Sequence, residues 1–166
     1  MRKRSWLLVS WLLAFSTCFS ATPPSKDMLV GTWRLVAARA TTLTGKVEPN
    51  AFGEHPAGFL TFTAEGRMSM VVSDDGRKPL SVLDRVTAPA EERATAFSTF
   101  VAYAGRYALE GDTLVYHVEV SSIQNWVNTD LKRFVTLDGN RLTLRTPPTQ
   151  KGGVHQTIEL VFEKLD

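Results

Sequence analysis

A chain of 166 residues with 43% hydrophobic side chains and one cysteine is sized for a single domain held by an ordinary core, without a disulfide framework. It carries 19 basic and 17 acidic residues, but three of the basic ones, Arg2, Lys3 and Arg4, stand at its very start. Without them 16 basic residues face 17 acidic ones, a near-neutral balance that excludes an electrostatic footprint for nucleic acid.

In chain order, the first element reads as an export signal. Behind the three cationic residues, 6–19 is an apolar stretch of 14 residues broken only by Ser and Thr. That is short of the roughly 20 apolar residues needed to span a bilayer. Cleavage after Ser20 puts small residues, Cys18 and Ser20, at the −3 and −1 positions. Cleavage after Ala21 would put bulky Phe19 at −3. The sequence therefore predicts a signal peptide over 1–20, a flexible lead-in over 21–30 and one domain over 31–166. The product is exported, periplasmic or secreted, with no transmembrane segment. The alternatives are a buried N-terminal helix, or a lipoprotein signal acylated at Cys18. Phe15-Ser16-Thr17 is a poor match to the segment that normally precedes an acylated cysteine.

The rest of the chain reads mostly as strands. Over 32–41, Trp33, Leu35 and Ala37 alternate onto one face. The segments 58–63 and 67–73 flank Ala64-Glu65-Gly66, a hairpin turn with its glycine. The polar connection 73–87, with Asp74-Asp75-Gly76-Arg77-Lys78-Pro79, is long enough to form part of a lid. Over 89–104, Ala94, Phe97, Val101 and Ala104 fall at helical spacing. Pro89 suits the first turn, Glu91 and Glu92 suit the positive end of the dipole, and Gly105 suits the position just past the end. Ala88, at the expected N-cap, brings no side-chain acceptor. A short strand, 105–110, follows. Over 113–121, Leu114, Tyr116, Val118 and Val120 share one face, and Val115, His117, Glu119 and Ser121 the other. The segments 132–137 and 141–146 flank Asp138-Gly139-Asn140, and 154–164 is a last strand. Sequential hairpins predict an all-β, up-and-down antiparallel barrel of about eight strands with one inserted helix; a sandwich is the alternative. A barrel of eight strands is either filled by its own side chains or holds one small ligand.

Gly31-Thr32-Trp33-Arg34-Leu35-Val36 resembles the opening strand of lipocalin-like domains, with its Gly-x-Trp. The resemblance continues through 58–69, then Tyr103-Ala104-Gly105-Arg106-Tyr107, His117-Val118-Glu119 and Asn125-Trp126-Val127-Asn128-Thr129. Leu142-Thr143-Leu144-Arg145-Thr146-Pro147-Pro148 and Leu160-Val161-Phe162-Glu163 complete the series. The chain is similar, over about 31–164, to the bacterial and fungal lipocalin-like domain family. The resemblance implies a small barrel whose Trp33 plugs one end beneath a basic side chain, for which Arg133 and Arg145 are candidates. It says little about ligand or reaction, because function sits in sites rather than folds.

Several side chains are candidates for a site. His117 and Glu119 lie two apart on one strand, so they face the same way. Turned inward, with Arg133 as partner to the carboxylate, they would form an acid–base pair. The same alternation allows that face to lie in water, and the His-x-Glu of the resembled family favours the inward choice. Phe59, Met68, Met70, Phe100, Tyr103 and Tyr107, with Phe62 and Phe97, are candidates to line an apolar cavity or a plain core, and Arg133 is a candidate ligand-binding residue beside them. Trp126 is a candidate lid over the barrel mouth, with Asn125 and Asn128 as hydrogen-bonding or turn residues. His55, His117 and His155 lack metal-ligand spacing, and no nucleophile or dinucleotide motif is present, so no metal or cofactor is expected. The sequence favours an exported barrel that binds a small hydrophobic or mixed-polarity molecule. The alternatives are an acid–base enzyme of isomerase, cyclase or hydrolase type, and a structural or interaction module of the cell envelope. The oligomeric state is left open.

Overall fold

The structure, a computed structural model, describes residues 24–165; the expected signal over 1–20, with Cys18, lies outside the described residues. A helical turn, α1 (Lys26–Leu29), leads into β1 (Gly31–Thr42), β2 (Val47–Glu48), β3 (Ala57–Phe62) and β4 (Arg67–Ser73). A helix, α2 (Ala90–Ser98), then precedes β5 (Phe100–Glu110) and β6 (Thr113–Ser121). A single 3₁₀ turn at Gln124–Trp126 leads to β7 (Asp130–Asp138), β8 (Arg141–Arg145), β9 (Thr149–Lys151) and β10 (Val154–Lys164).

The strands run in the order β1-β3-β4-β5-β6-β7-β8-β10, and β10 pairs back onto β1. This is a closed antiparallel barrel of eight strands, with β2 and β9 as short additions to β1 and β10. Closure leaves the eight strands no free edge to template aggregation. Each turn follows from its residues. Gly66 and Gly139, at φ 87° and 57°, take the left-handed conformation that the β3–β4 and β7–β8 hairpins need.

Alternation puts one row of each strand inside. Trp33, Leu60, Leu114, Tyr116, Val118, Leu142 and Phe162 are wholly buried and belong to one contiguous cluster. Two bulges break the expected alternation. In β1, Leu35 pairs with Phe162 but Ala37 with Val161, so Val36 is an extra residue. The inward row is therefore Trp33, Leu35, Ala38 and Ala40 rather than one that includes Ala37. In β6, Val118 pairs with Gly105 but Val120 with Ala104, so Glu119 is the extra residue. Beyond it Val120 turns outward and is 63% exposed, against the expectation that it shares the core row of Val118.

The helix is shorter than its spacing predicted. It ends at Ser98, and Val101, Ala104 and Gly105 belong to β5. The reason is non-local: β5 is paired with β4 from Phe100 to Arg106 and with β6 along most of its length. Two ladders outweigh helical propensity, which is a weak prior. Gly105 is thus no helix stop. A Cβ there would lie 2.0 Å from the His117 carbonyl oxygen, so the bulge itself demands glycine. Pro89, not Ala88, takes the N-cap position, and no side chain caps it.

One end of the barrel is floored by the segment expected to be a flexible lead-in. Leu29 of α1 is buried, and the Trp33 indole N–H donates to its carbonyl at 2.8 Å. The cation over Trp33 is Lys164, 5.1 Å from the ring, which also donates to the Met28 carbonyl at 3.2 Å. It is neither Arg133 nor Arg145. Lys164 is the cross-strand partner of Trp33, whereas Arg145 lies over Phe134 and Arg133 points into the barrel.

Candidate ligand-binding site

Antiparallel pairing sorts the connections between the two ends. The turns at 63–66, 111–112 and 139–140 gather at the Trp33 floor; the segments 43–56, 74–99, 122–129 and 146–153 gather at the opposite end, the mouth. Between the two runs a line of aromatic rings. Tyr107 stands at the floor, its hydroxyl donating to the Thr63 carbonyl at 3.0 Å and its ring 4.7 Å from Phe62. Phe62 is 6.1 Å from Tyr116, Tyr116 is 6.2 Å from Tyr103, and Tyr103 meets Trp126 edge-on at 5.6 Å. Trp126 is half-buried on the 3₁₀ turn at the mouth. Asn128 supports that turn by adopting φ 60°, a left-handed conformation that asparagine tolerates.

Three polar groups interrupt this apolar lining. The Tyr103 hydroxyl donates to the Met70 sulfur at 3.4 Å. Arg133 is only 7% exposed; its guanidinium donates to the Lys132 carbonyl at 2.7 Å, approaches the Tyr103 hydroxyl at 3.5 Å and lies 5.9 Å from the centre of the Tyr116 ring. The Tyr116 hydroxyl is buried and has no hydrogen-bond partner among the described residues. Burial, reinforced by Tyr103 and partly offset by Arg133, pushes the Tyr116 phenol well above its ordinary range, so it stays protonated. Burial likewise raises Tyr107, helped by Asp27 and Glu65.

The expected residues divide between the two faces of the wall. Met68, Met70, Tyr103, Tyr107 and Arg133 are inside, and Trp126 is at the mouth. Phe59 is on the outer face and 50% exposed, because its neighbours Gly58 and Leu60 take the inward positions. Phe100 also stands on the outer row of β5, beneath Arg77 at 5.3 Å, and Phe97 is exposed on α2. His117 and Glu119 are outside as well. His117 Nδ1 meets Asp130 Oδ1 at 3.0 Å. The Glu119 carboxylate is held by Arg67 and by Arg106, not by Arg133, and the Arg67 hydrogen bonds keep it below the usual carboxylate range. Neither side chain reaches the barrel interior, so the inward acid–base pair expected at 117 and 119 does not form.

Sequence reasoning passed over Tyr116 as a site residue, counting it as core. It did name Arg133 as a candidate ligand-binding residue, and the structure places that side chain in the interior. A signal for the arginine was present: Leu131, Arg133, Val135 and Leu137 make an inward row in which one residue of four is charged.

Two recesses flank the mouth. One, of about 310 Å³, opens between β1, β2 and β10, lined by Ala40, Thr42, Lys46, Glu48, Ala51, Val154 and Gln156. The other, of about 590 Å³, lies between the 74–80 connection and α2, where Ser81 donates twice to Glu92. Trp126 is absent from its lining, so this connection makes its own cleft with α2 rather than a joint lid with the tryptophan.

The chain is 34% identical, over 84 aligned positions, to the 4'-hydroxy-3'-methoxypropiophenone carrier protein ppsC of Aspergillus oryzae (strain ATCC 42149 / RIB 40), spanning 45% of this chain and 76% of that protein. Among solved structures it is similar to a lipocalin-like protein from Bacteroides uniformis (16% identity, TM-score 0.43, 82% of this chain and 98% of that one). It is similar also to an uncharacterized protein from Bacteroides eggerthii (15% identity, TM-score 0.41, 82% and 99%). The model of the lipocalin-like domain matches residues 30–165, nearly the whole of the described barrel, and the chain belongs to the lipocalin-like domain family.

Proposed function

We propose that this protein is an exported carrier that holds a small apolar or aromatic molecule in the mouth half of its barrel. The observation that carries the proposal is the unbroken line of rings from Phe62 through Tyr116 and Tyr103 to half-buried Trp126, which connects the interior to the surface. Apolar side chains with a few polar groups among them are what small-molecule sites have in common. Met70, beside Tyr103, adds a side chain with several rotatable bonds that can reshape to fit a guest. The relative named as a carrier of a substituted propiophenone supports an aromatic guest here too. Export is supported by the cationic start and the 14-residue apolar stretch behind it.

Thermal melts of the purified protein against a panel of substituted phenyl ketones, phenols and medium-chain aliphatics test binding. A guest of the folded state must raise the melting temperature as its concentration rises. Saturable stabilisation by members of the panel, lost in Trp126→Ala, is the expected result; a melting temperature unmoved by every class overturns the carrier reading. Fractionation of cells expressing the full chain, with N-terminal sequencing of the product, tests export. A mature chain starting at Ala21 outside the cytoplasm is expected, and an intact chain retained in the cytoplasm refutes it.

A further inference from the structure

We propose that the guest is an acid: an apolar molecule bearing one carboxylate, which Arg133, Tyr103 and Tyr116 receive inside the barrel. The inference rests on the carrier reading and names the class of molecule carried.

The three side chains are all hydrogen-bond donors, and their present acceptors are uncharged, weak or missing. Arg133 is buried, and no ion pair among the described residues involves it. A buried charge without a counter-ion is costly. Its nearest contacts are the neighbouring Lys132 carbonyl, a 3.5 Å approach to the Tyr103 hydroxyl, and the face of Tyr116. The Tyr103 hydroxyl spends its proton on a thioether, a weak acceptor. The Tyr116 hydroxyl spends its proton on nothing within the described residues. Burial keeps that phenol protonated, hence a donor.

A buried cation beside two tyrosines, one hydroxyl at 3.5 Å and the other ring at 5.9 Å, with no acidic partner among the described residues, is complementary to one kind of group, a compact anion rich in acceptors. A carboxylate supplies about four lone-pair sites and matches the fork of a guanidinium. It would neutralise Arg133 and offer acceptors to both hydroxyls. An apolar body attached to it would lie along the rings toward Trp126. A neutral ketone or ester supplies an acceptor without the charge, and leaves the cation uncompensated.

Matched pairs of an acid and its methyl ester, 3-phenylpropanoate and decanoate with their esters, separate the carried class from carriage as such. Binding is measured by calorimetry at pH 7 for the wild type, Arg133→Met, Arg133→Lys and Tyr116→Phe, each with its ligand-free melting temperature recorded. The wild type should bind each acid at least about tenfold more tightly than its ester, the scale of one charge-assisted contact. Arg133→Met should lose that preference, with the loss falling mainly on the acid of each pair, and should melt no lower than the wild type, since it removes an uncompensated buried charge. Arg133→Lys should recover part of the preference. Acids and esters binding the wild type equally overturn the inference and leave the carrier reading standing. A preference that survives in Arg133→Met also overturns it, as does an Arg133→Met protein that melts well below the wild type, which would make the arginine a structural strut. Failure of both members of every pair to bind removes the carrier reading and this inference together.

Discussion

Glu119 and Arg67 lock together across the outside of the barrel, with paired bonds of 2.9 and 2.6 Å that bridge β6 to β4 over the intervening β5. Arg106 on β5 reaches the same carboxylate at 3.1 Å. Arg67 and Arg106 are direct cross-strand partners, a like-charge pairing that is unfavourable unless neutralised. Glu119, on the outer row of β6, is the residue that neutralises it. The Arg67 hydrogen bonds hold the Glu119 carboxyl below its usual range, so the ionised form is favoured in the folded state. The resulting stability is therefore present above the unfolded-state pKa, about 4.3, and is lost as pH falls through the lower folded-state value. Glu119→Gln should lower the melting temperature at neutral pH, and the gap from the wild type should close as pH falls below about 4. Melts across that range decide the matter; a gap that stays constant with pH would show that charge is not the reason.

Trp33 should be the most costly aromatic to remove from the floor. Its ring is wholly buried between Leu29 and Lys164, and its N–H satisfies the Leu29 carbonyl. Trp33→Ala should cost about 3–5 kcal/mol, the range for emptying a buried aromatic site. Trp33→Phe should cost less but more than nothing, because it leaves that carbonyl unpaired. Urea unfolding of the three proteins reads both differences; equal midpoints for Trp33→Phe and wild type would deny the hydrogen bond any role.

Tyr116→Phe should stabilise the ligand-free protein by about 1 kcal/mol, since it deletes a buried hydroxyl that has no partner. The alkaline limb carries the sign. A phenol raised by burial stays neutral in the folded state while the unfolded chain ionises, so stability falls as pH rises past the ordinary value, about 10. The variant should lose less stability than the wild type between about pH 9 and 11. Denaturant midpoints over that interval measure it, and parallel curves would count against a neutral buried phenol.

Gly105→Ala should destabilise by about 1–3 kcal/mol or more, as an overpacked position does, because the new methyl meets backbone rather than a yielding side chain. If Gly105 were the stop of a helix reaching 104, alanine would be tolerated better and helix content would rise. Circular dichroism and thermal melts of the variant distinguish the two outcomes.

Local chemistry was readable along the chain wherever alternation ran unbroken. Leu114, Tyr116 and Val118 and the turn at Asp138-Gly139-Asn140 stand in the barrel as their spacing required, Trp33 is buried at one end as the resemblance implied though beneath Lys164 rather than Arg133 or Arg145, and the antiparallel order follows from consecutive hairpins. Two groups of misreadings have a cause in the backbone. One is the pair of bulges, which reversed Ala37 against Ala38 and turned Val120 out. The other is 99–104, where residues at helical spacing were drawn into a strand by partners far away in the sequence.

Residue types and their period were enough to say that this chain rolls into a barrel with a tryptophan at one end, because side-chain alternation and turn preferences are properties of neighbouring residues. Which face of the wall each polar side chain occupies was decided only on closure, when β10 met β1; one extra residue in each bulged strand reset the phase beyond it. The choice of inward row, and not the bulges, put His117 and Glu119 in water and Arg133 in the interior. Phase along a strand is carried by its hydrogen-bonded partner, and the partner is known only once the whole sheet is assembled.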